Sequence, residues 1–353
     1  MRKTKTFISV IALVIFSFIS CKHDSNVDPK IVDVTANIDD ATTWETGKIY
    51  VIKKADLFVN NELTIQPGVV IKFHPALGSG LMLGGSGKII ANGTSDSKIV
   101  FTSYKDDVHG GDNNYDENAT SPAVGDWGTI NLNGISGSVF QYCEFMFSGK
   151  NKCSALEISA SASATVKNCI FRNNDGLYNE GGALNASASG ESTIIEDNIF
   201  YNNNIPLSIA AKYNLGNSNT FHNPDNASEK NKYCAIFVSG SSIDNPISWS
   251  EDEVAYFLKH NGDFVVNSTL TLGDNVVIKA LGEYADIFLM NGESSIINFN
   301  GSGVYFTSYK DDAHGGDSNG DGNTTSPADA DWFGVVDGSF VSYTWSNILY
   351  DGV

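Results

Sequence analysis

Along most of the chain, apolar and polar residues alternate in short runs that end in Asn or Gly. Between residues 141 and 221 these runs recur as QYCEF, KNCIF, DNIF and NTF, and they end in Phe145, Phe171, Phe200 and Phe221. A period of two indicates β-strands, and Asn- and Gly-rich intervals are typical of turns. Because the runs recur every 20 to 30 residues or so without a helical period, the pattern predicts an all-β solenoid of stacked coils.

A second repeat is longer and nearly literal. Residues 101–127 and 306–332 are identical at 20 of 27 positions, and both copies begin with FTSYKDD. The similarity extends upstream, where residues 58–73 match residues 264–280. The chain therefore contains a duplicated module of roughly 90 residues, with a different region between the copies.

The strand-rich segments TIQPGVVIKF and GSGKIIANGTSDSKIVFTS, together with the Asn-rich coils, resemble the right-handed parallel β-helix of pectin-lyase-like proteins. The resemblance implies a right-handed parallel β-helix solenoid over residues 42–353, with two homologous calcium-loop insertions. We expect residues 42–240 to hold the first module and the Asn-rich coils, and residues 241–353 to hold the second module. In such a stack the four Phe residues form an internal ladder, and Asn168 and its equivalents form a turn ladder.

Four cysteines follow the N-terminal region. Cys143 and Cys169 occupy the inward position that Asn198 takes in the next repeat, whereas Cys153 and Cys234 have no partner in the repeat. Side chains stacked in this way point in parallel, so a disulfide between Cys143 and Cys169 would depend on strain. We expect buried thiols that act as small apolar groups.

The N-terminus carries an export signal. Arg2, Lys3 and Lys5 precede an apolar run from Phe7 to Ile19, which is too short to cross a bilayer as a helix. The following FISC resembles the lipobox of bacterial lipoproteins, which implies a signal peptide over residues 1–20, a lipidated Cys21 and a tether over residues 21–41. Lys22 after this Cys favours the outer membrane, at the cell surface or the periplasmic face. The alternative is an ordinary cleaved signal peptide with an incidental Cys.

The charge balance excludes one class of partner. The chain has 41 acidic and 22 basic residues and a formal net charge of −19. Nucleic acid is therefore excluded as a partner, and basic grooves for polyanionic substrates are not expected.

The duplicated loops carry the candidate chemistry. Asp317, Asn319 and Asp321 place oxygen atoms at positions 1, 3 and 5 of a loop, and Gly322 follows at position 6. This spacing is typical of the start of a calcium-binding loop. The first copy has Glu117 instead of that Gly. The predicted Ca2+ ligands are Asp112, Asn114, Asp116, Asp317, Asn319 and Asp321, and the possible additional ligands are Asp106, Asp107, Asp126, Asp311, Asp312 and Asp331. The alternative is a solvated acidic turn.

The function expected from these features is a non-enzymatic role in surface binding or adhesion, toward a glycan or a surface protein. The membrane partner is reached through the N-terminal lipid. Candidate aromatic groups for stacking on sugars are Tyr104, Trp127, Tyr309 and Trp332. The alternative for the two Trp residues is that each closes its loop.

Two other functions remain open at this stage. A polysaccharide lyase or glycoside hydrolase would require Arg172, or Lys105 with the duplicated acids, to line a groove. A purely structural element of the envelope, stabilised by calcium, is the third possibility. The sequence identifies no catalytic residue.

Overall fold

The computed structural model describes residues 30–177 and 181–352, which are almost entirely strands and turns. Within these residues, short 3-10 helices cover Pro75–Leu77, Lys150–Lys152 and Gly292–Ser295. The strands are, in chain order, β1 (Lys30–Val34), β2 (Thr42–Trp44), β3 (Lys48–Ile52), β4 (Asp56–Val59), β5 (Glu62–Ile65), β6 (Val70–Phe73), β7 (Gly80–Leu83), β8 (Lys88–Asn92), β9 (Ile99–Ser103), β10 (Ile130–Asn131), β11 (Ser138–Gln141), β12 (Cys143–Met146), β13 (Leu156–Glu157), β14 (Ala164–Lys167), β15 (Ile170–Arg172), β16 (Leu184–Ala186), β17 (Ile194–Glu196), β18 (Ile199–Tyr201), β19 (Leu207–Ala210), β20 (His222–Asn223), β21 (Asn226–Lys230), β22 (Ala235–Ser239), β23 (Ser242–Ile243), β24 (Ile247–Trp249), β25 (Ala255–Leu258), β26 (Asp263–Val266), β27 (Leu270–Leu272), β28 (Val277–Ala280), β29 (Asp286–Leu289), β30 (Ile296–Ile297), β31 (Tyr305–Ser308) and β32 (Gly334–Asp337).

These strands stack into a parallel β-helix, as the sequence predicts. Sheet 1 has the order β1-β3-β6-β9-β12-β15-β18, sheet 2 runs β4-β7-β10-β13-β16-β19-β22-β25-β28-β31, and sheet 3 runs β2-β5-β8-β11-β14-β17. Sheet 4 is β23-β26-β29-β32 and sheet 5 is β24-β27-β30. Strands within these sheets pair in parallel with their counterparts one coil away. Strands β20 and β21 form an antiparallel hairpin.

Inward side chains stack in ladders because each coil repeats the one below it. The predicted Phe ladder is confirmed: consecutive ring centroids lie 4.6 Å apart for Phe145 and Phe171, 5.1 Å for Phe171 and Phe200, and 5.3 Å for Phe200 and Phe221. Phe101 extends the ladder by one coil, at 4.9 Å from Phe145. Cys143 and Cys169 are free and buried, at the inward position expected for them.

A ladder of buried Asn side chains fixes the turns between coils. The Asn203 amide donates to the carbonyl oxygens of Phe171 and the Asn231 side chain, and its side-chain oxygen accepts from Asn174. Asn198 and Asn219 form a second ladder. The turn ladder predicted through Asn168 is wrong. Asn198 accepts a hydrogen bond from the backbone N–H of Cys169, so the second ladder continues at the position after Asn168, and Asn168 itself has a positive φ of 54°.

The segment predicted as a tether, residues 21–41, contains part of the solenoid. Strand β1 pairs with β3 over five residues, and Ile38 is buried and bridges to Val59. Apolar residues of this segment therefore belong to the first coil. The polar residues between them made the segment resemble a tether in the sequence. Cys21 and the signal peptide lie outside the described residues.

The second module is turned relative to the first. A coil of the first module runs through sheets 1, 2 and 3, whereas later coils run through sheets 2, 4 and 5. Strands β6 and β9 of the first module thus lie in sheet 1, whereas their duplicated counterparts β28 and β31 lie in sheet 2. The two duplicated loops, which follow β9 and β31, emerge from different sheets.

Replacement of Asn203 by Ala tests the Asn ladder. The change removes the acceptor of the buried Asn174 backbone N–H and the side-chain donor to the Phe171 carbonyl, so we expect a loss of about 2–4 kcal/mol in the free energy of unfolding. Urea unfolding measures the loss. Asn217→Ala, at an exposed position, should cost less than about 0.5 kcal/mol, and equal losses for the two variants would contradict a special role for the ladder.

Candidate cation-binding loops

Two loops, residues 104–126 and 309–331, leave the solenoid and fold back on it. Ser103 Oγ and Lys105 Nζ contact the carboxylate of Asp126 at 2.7 and 2.8 Å, which closes the first loop at its base. Ser308 and Lys310 contact Asp331 at 2.8 and 2.6 Å in the same way. Asp126 and Asp331 therefore hold the loops shut and are not directed at a cation.

Each loop lies against the outer face of a sheet. A Cβ atom on Gly110 would come within 2.6 Å of Ile49 Cδ1 on β3, and a Cβ on Gly315 within 2.8 Å of Ala255 Cβ on β25. Both glycines also have φ above 70°. The HGG segment therefore requires Gly here, because the backbone packs directly on the strand.

A buried lysine anchors each loop from below. Lys72 Nζ donates to the carbonyl oxygens of Asp106 and Gly111, both at 2.7 Å. Lys279 Nζ donates to those of Asp311 and Gly316, at 2.7 and 2.6 Å. Both side chains are fully buried. Burial lowers the pKa of each lysine to about 8, against the opposing effect of nearby acids.

The first carboxylate of each Asp-Asp pair is used within the loop. Asp106 accepts hydrogen bonds from Thr102 Oγ1 at 2.6 Å and contacts His109 Nδ1 at 2.7 Å. Asp311 has the same contacts with Thr307 and His314, at 2.7 and 2.8 Å. Asp106 and Asp311 therefore shape the turn and do not join the cluster described next.

The second carboxylate of each pair meets the loop tip. Carboxylate oxygens of Asp107, Asp112 and Asp116 lie within 4.8 Å of one another, and so do those of Asp312, Asp317 and Asp321. Asn114 and Asn319 sit beside these clusters, because their amide groups donate to Asp116 and Asp321 at 2.8 and 3.0 Å. Eight of the twelve residues predicted as ligands or additional ligands thus come together in two sets of four.

Within each set, some oxygen atoms are buried without a donor. Asp107 Oδ1, Asn114 Oδ1 and Asp312 Oδ1 have no hydrogen-bond partner among the described residues. Burial, followed by the charges of neighbouring carboxylates, raises the pKa of Asp107 and of Asp312. Desolvated oxygens beside like charges match the needs of a hard cation such as Ca2+.

The two loops have matching backbone φ values at two positions where their residues differ. Gly320 and Gly322 have φ of 67° and 65°, while Tyr115 and Glu117 hold the matching conformation with φ of 58° and 54°. A non-glycine residue in this region is strained by about 1 kcal/mol or more. Glu117 thus adopts the positive φ that the calcium-loop pattern assigns to a Gly at position 6.

The aromatic residues proposed for sugar stacking divide into two groups. Trp127 and Trp332 are 0% and 1% exposed, so stacking on a sugar is wrong for both. Trp127 stacks on Phe73 with ring centroids 4.2 Å apart. The indole N–H groups of the two Trp residues donate to backbone carbonyl oxygens. Each Trp side chain therefore closes the end of its loop. Tyr104 and Tyr309 remain half-buried at the start of each loop.

No sequence motif points to a role for the buried lysines or for Thr102 and Thr307. Lys72 and Lys279 end the matching segments VVIK of the two copies, and Thr102 and Thr307 lie in FTSYKDD. The duplication itself marked these positions, but only the fold shows that the lysine passes beneath a loop more than 30 residues away.

Replacement of Lys72 by Met tests the anchor. Two buried carbonyl groups lose their donor, so we expect the free energy of unfolding to fall by about 2–4 kcal/mol. Since the pKa of Lys72 is near 8 in the folded protein and near 10.5 when unfolded, its ionisation disfavours folding at low pH. Wild-type stability should therefore rise relative to Lys72→Met between pH 8 and pH 10.5. Urea unfolding across this range measures the gap, and a gap that narrows with pH would contradict the assignment.

Comparisons with known proteins add no relative. No family model, curated protein or solved structure matches the chain. Within the described residues, none of the helices has the length and apolar character needed to cross a bilayer. The fold and the two loops therefore provide the basis for a functional proposal.

Proposed function

We propose that the protein is a lipid-anchored β-helix protein of the cell envelope that binds calcium in its two duplicated loops. Its role is surface binding or adhesion without catalysis, and its ligand class is glycans. The observation that carries the calcium part is the buried carboxylate oxygen of Asp107 and of Asp312, which faces other carboxylates without a hydrogen-bond donor.

The donor set fits calcium better than other metals. Asp107, Asp112, Asn114 and Asp116 supply only oxygen ligands, as do their counterparts in the second loop. Hard cations prefer such oxygens, and Ca2+ accepts irregular sets of six to eight ligands completed by backbone carbonyls and water. The His residues of the loops bond to Asp106 and Asp311 instead, which does not favour zinc.

The basic groups that a lyase or hydrolase would need are engaged elsewhere. Arg172 Nε contacts Glu144 Oε1 at 2.6 Å, on the outer face of sheet 1. Lys105 contacts Asp126 at the base of its loop. These pairs support a binding role over proton abstraction from a sugar.

The shape and charge of the protein support a glycan ligand. Sheet 2 stacks ten strands in one direction, and stacked repeats of this kind give repeat proteins the extended surfaces on which they bind long ligands. The net charge of −19 disfavours anionic partners and leaves neutral polysaccharide chains as the preferred class.

Calcium should stabilise the full-length protein in detergent. With a dissociation constant of about 0.1–1 mM, 10 mM Ca2+ would add about 1.4–2.7 kcal/mol per site. We expect a rise of several degrees in the unfolding midpoint over EDTA, measured by thermal unfolding. The double variant Asp107→Asn/Asp312→Asn should not respond, and in EDTA it should be at least as stable as wild type because a buried charge is gone.

Asp96→Asn is the matched control, because it removes an exposed carboxylate outside both loops. It should keep the full calcium response. A wild-type midpoint that is the same in EDTA and in calcium would refute the metal sites. So would a response that survives in the double variant.

The lipid anchor is tested separately by Cys21→Ser. Without the thiol no lipid can be attached, so the protein should move from the membrane fraction to the soluble fraction of its native cells. Immunoblots of the fractions measure this shift, and continued membrane association of the variant would contradict the anchor.

A further inference from the structure

The outer wall of the solenoid is interrupted where the third sheet ends. Strand β17 is the last strand of sheet 3, and the next coil places Leu215 opposite Trp249 of β24. Leu207 pairs with Ile236, and the next pairing along the chain joins Leu215 to Trp249. The two pairings are eight residues apart in one coil and thirteen residues apart in the following coil. The added residues form β23 and begin sheet 4, and they leave a gap beside β17.

Tyr213 stands in this gap as a wedge between coils. Its hydroxyl donates to the Thr193 carbonyl oxygen at 3.3 Å and accepts from the backbone N–H of Ile195. The Tyr213 ring is buried in the core. The side chain thus forms hydrogen bonds with backbone groups at the edge of β17, where a neighbouring strand would otherwise pair. It also keeps the backbone around residue 213 apart from β17.

Two cavities meet at the wedge. One has a volume of about 270 Å³ and lies between residues 189–193, 210–214 and 245–247. The other has about 360 Å³ and lies between residues 193–197 and 213–218. Both are bordered by Thr193, Tyr213 and Asn214, so they adjoin at the Tyr213 side chain; the two cavities together are called the cleft below.

The cleft wall contains hydroxyl groups that the protein leaves unpaired. Ser189 and Thr193 are 4% and 5% exposed, and Ser189 Oγ and Thr193 Oγ1 have no partner within the described residues. Unpaired hydroxyls at such burial are costly. A ligand hydroxyl can both donate and accept, so it can satisfy them after a small rotation.

The charge at the rim selects against anionic ligands. Glu191 and Lys212 lie on the same wall with their charged atoms 3.8 Å apart, so their charges largely offset each other. Glu196 and Asp197 add exposed carboxylates beside the second cavity. Asn214 and Asn245 are exposed amides at the rim of the first cavity. Neutral amides and hydroxyls suit a neutral, hydroxyl-rich chain.

We propose that the cleft on both sides of Tyr213 is the binding site for a neutral oligosaccharide, which would lie along the break between sheets 3 and 5. The inference rests on the proposed glycan role and adds its location. The site is built from the middle region and lies apart from both acidic loops, so binding should not require calcium.

Isothermal titration of the full-length protein with cellohexaose, xylohexaose, maltohexaose and mannohexaose tests the site, with a galacturonate hexamer as the charged comparator. We expect at least one neutral hexamer to bind, equally in EDTA and in calcium, and the charged one not to bind. Thr193→Val keeps the shape and removes the hydroxyl, so it should weaken binding about tenfold without lowering the unfolding midpoint. Asn245→Trp should fill the cleft and abolish binding, whereas Asn226→Trp, on the exposed hairpin, should leave it unchanged.

The outcomes separate the two proposals. If a neutral hexamer binds but Thr193→Val and Asn245→Trp both leave its affinity unchanged, the cleft is refuted and the glycan role stands. If none of the neutral hexamers binds, the cleft site is overturned together with the glycan role, while the calcium sites are decided by thermal unfolding alone. Loss of binding in EDTA would also overturn this site.

Discussion

The hydrogen bonding of each coil to the next, in parallel and in register, is the constraint on which the rest of this structure depends. Neighbouring strands lie about 4.8 Å apart, so every inward side chain must stack on a similar one. Planar rings and amides do this well: Phe rings repeat at about the strand spacing, and Asn side chains bond from coil to coil. The core is thus a set of one-dimensional ladders.

Residues that do not fit the repeat must leave the stack at a turn between two sheets. All the candidate sites lie at such turns. The duplicated loops leave after β9 and β31 and return over outer faces that would otherwise meet solvent. The residues that form β23 open a further face and displace the second module by one sheet. The copies therefore present their acidic loops on different sides, despite near-identical sequences.

Charge is distributed within each loop in a way that links stability to the proposed function. A buried ammonium group holds two carbonyls beneath the loop, while carboxylates gather at the tip with oxygens that lack donors. The lysine offsets part of the acidic charge, but its ammonium group donates to backbone carbonyls and not to the carboxylates of the cluster. A bound divalent cation would supply the missing partner and would tie the loop more firmly to the solenoid.

The sequence by itself determined the features that repeat along the chain. Period-two alternation, the Phe positions and the near-literal duplication predicted an all-β solenoid of stacked coils with two equivalent acidic loops, because the period of a repeated sequence reflects the geometry of each coil. The parallel β-helix itself was implied by the resemblance to pectin-lyase-like proteins. Asp107 and Asp112 were recognisable as acidic groups of one loop. The tertiary structure alone decided which carboxylates converge, that Trp127 is buried, and that Lys72 lies under a distant turn. It also decided the rotation between modules and the cleft at Tyr213, because these depend on how many residues each coil uses to close, and no local pattern encodes that number.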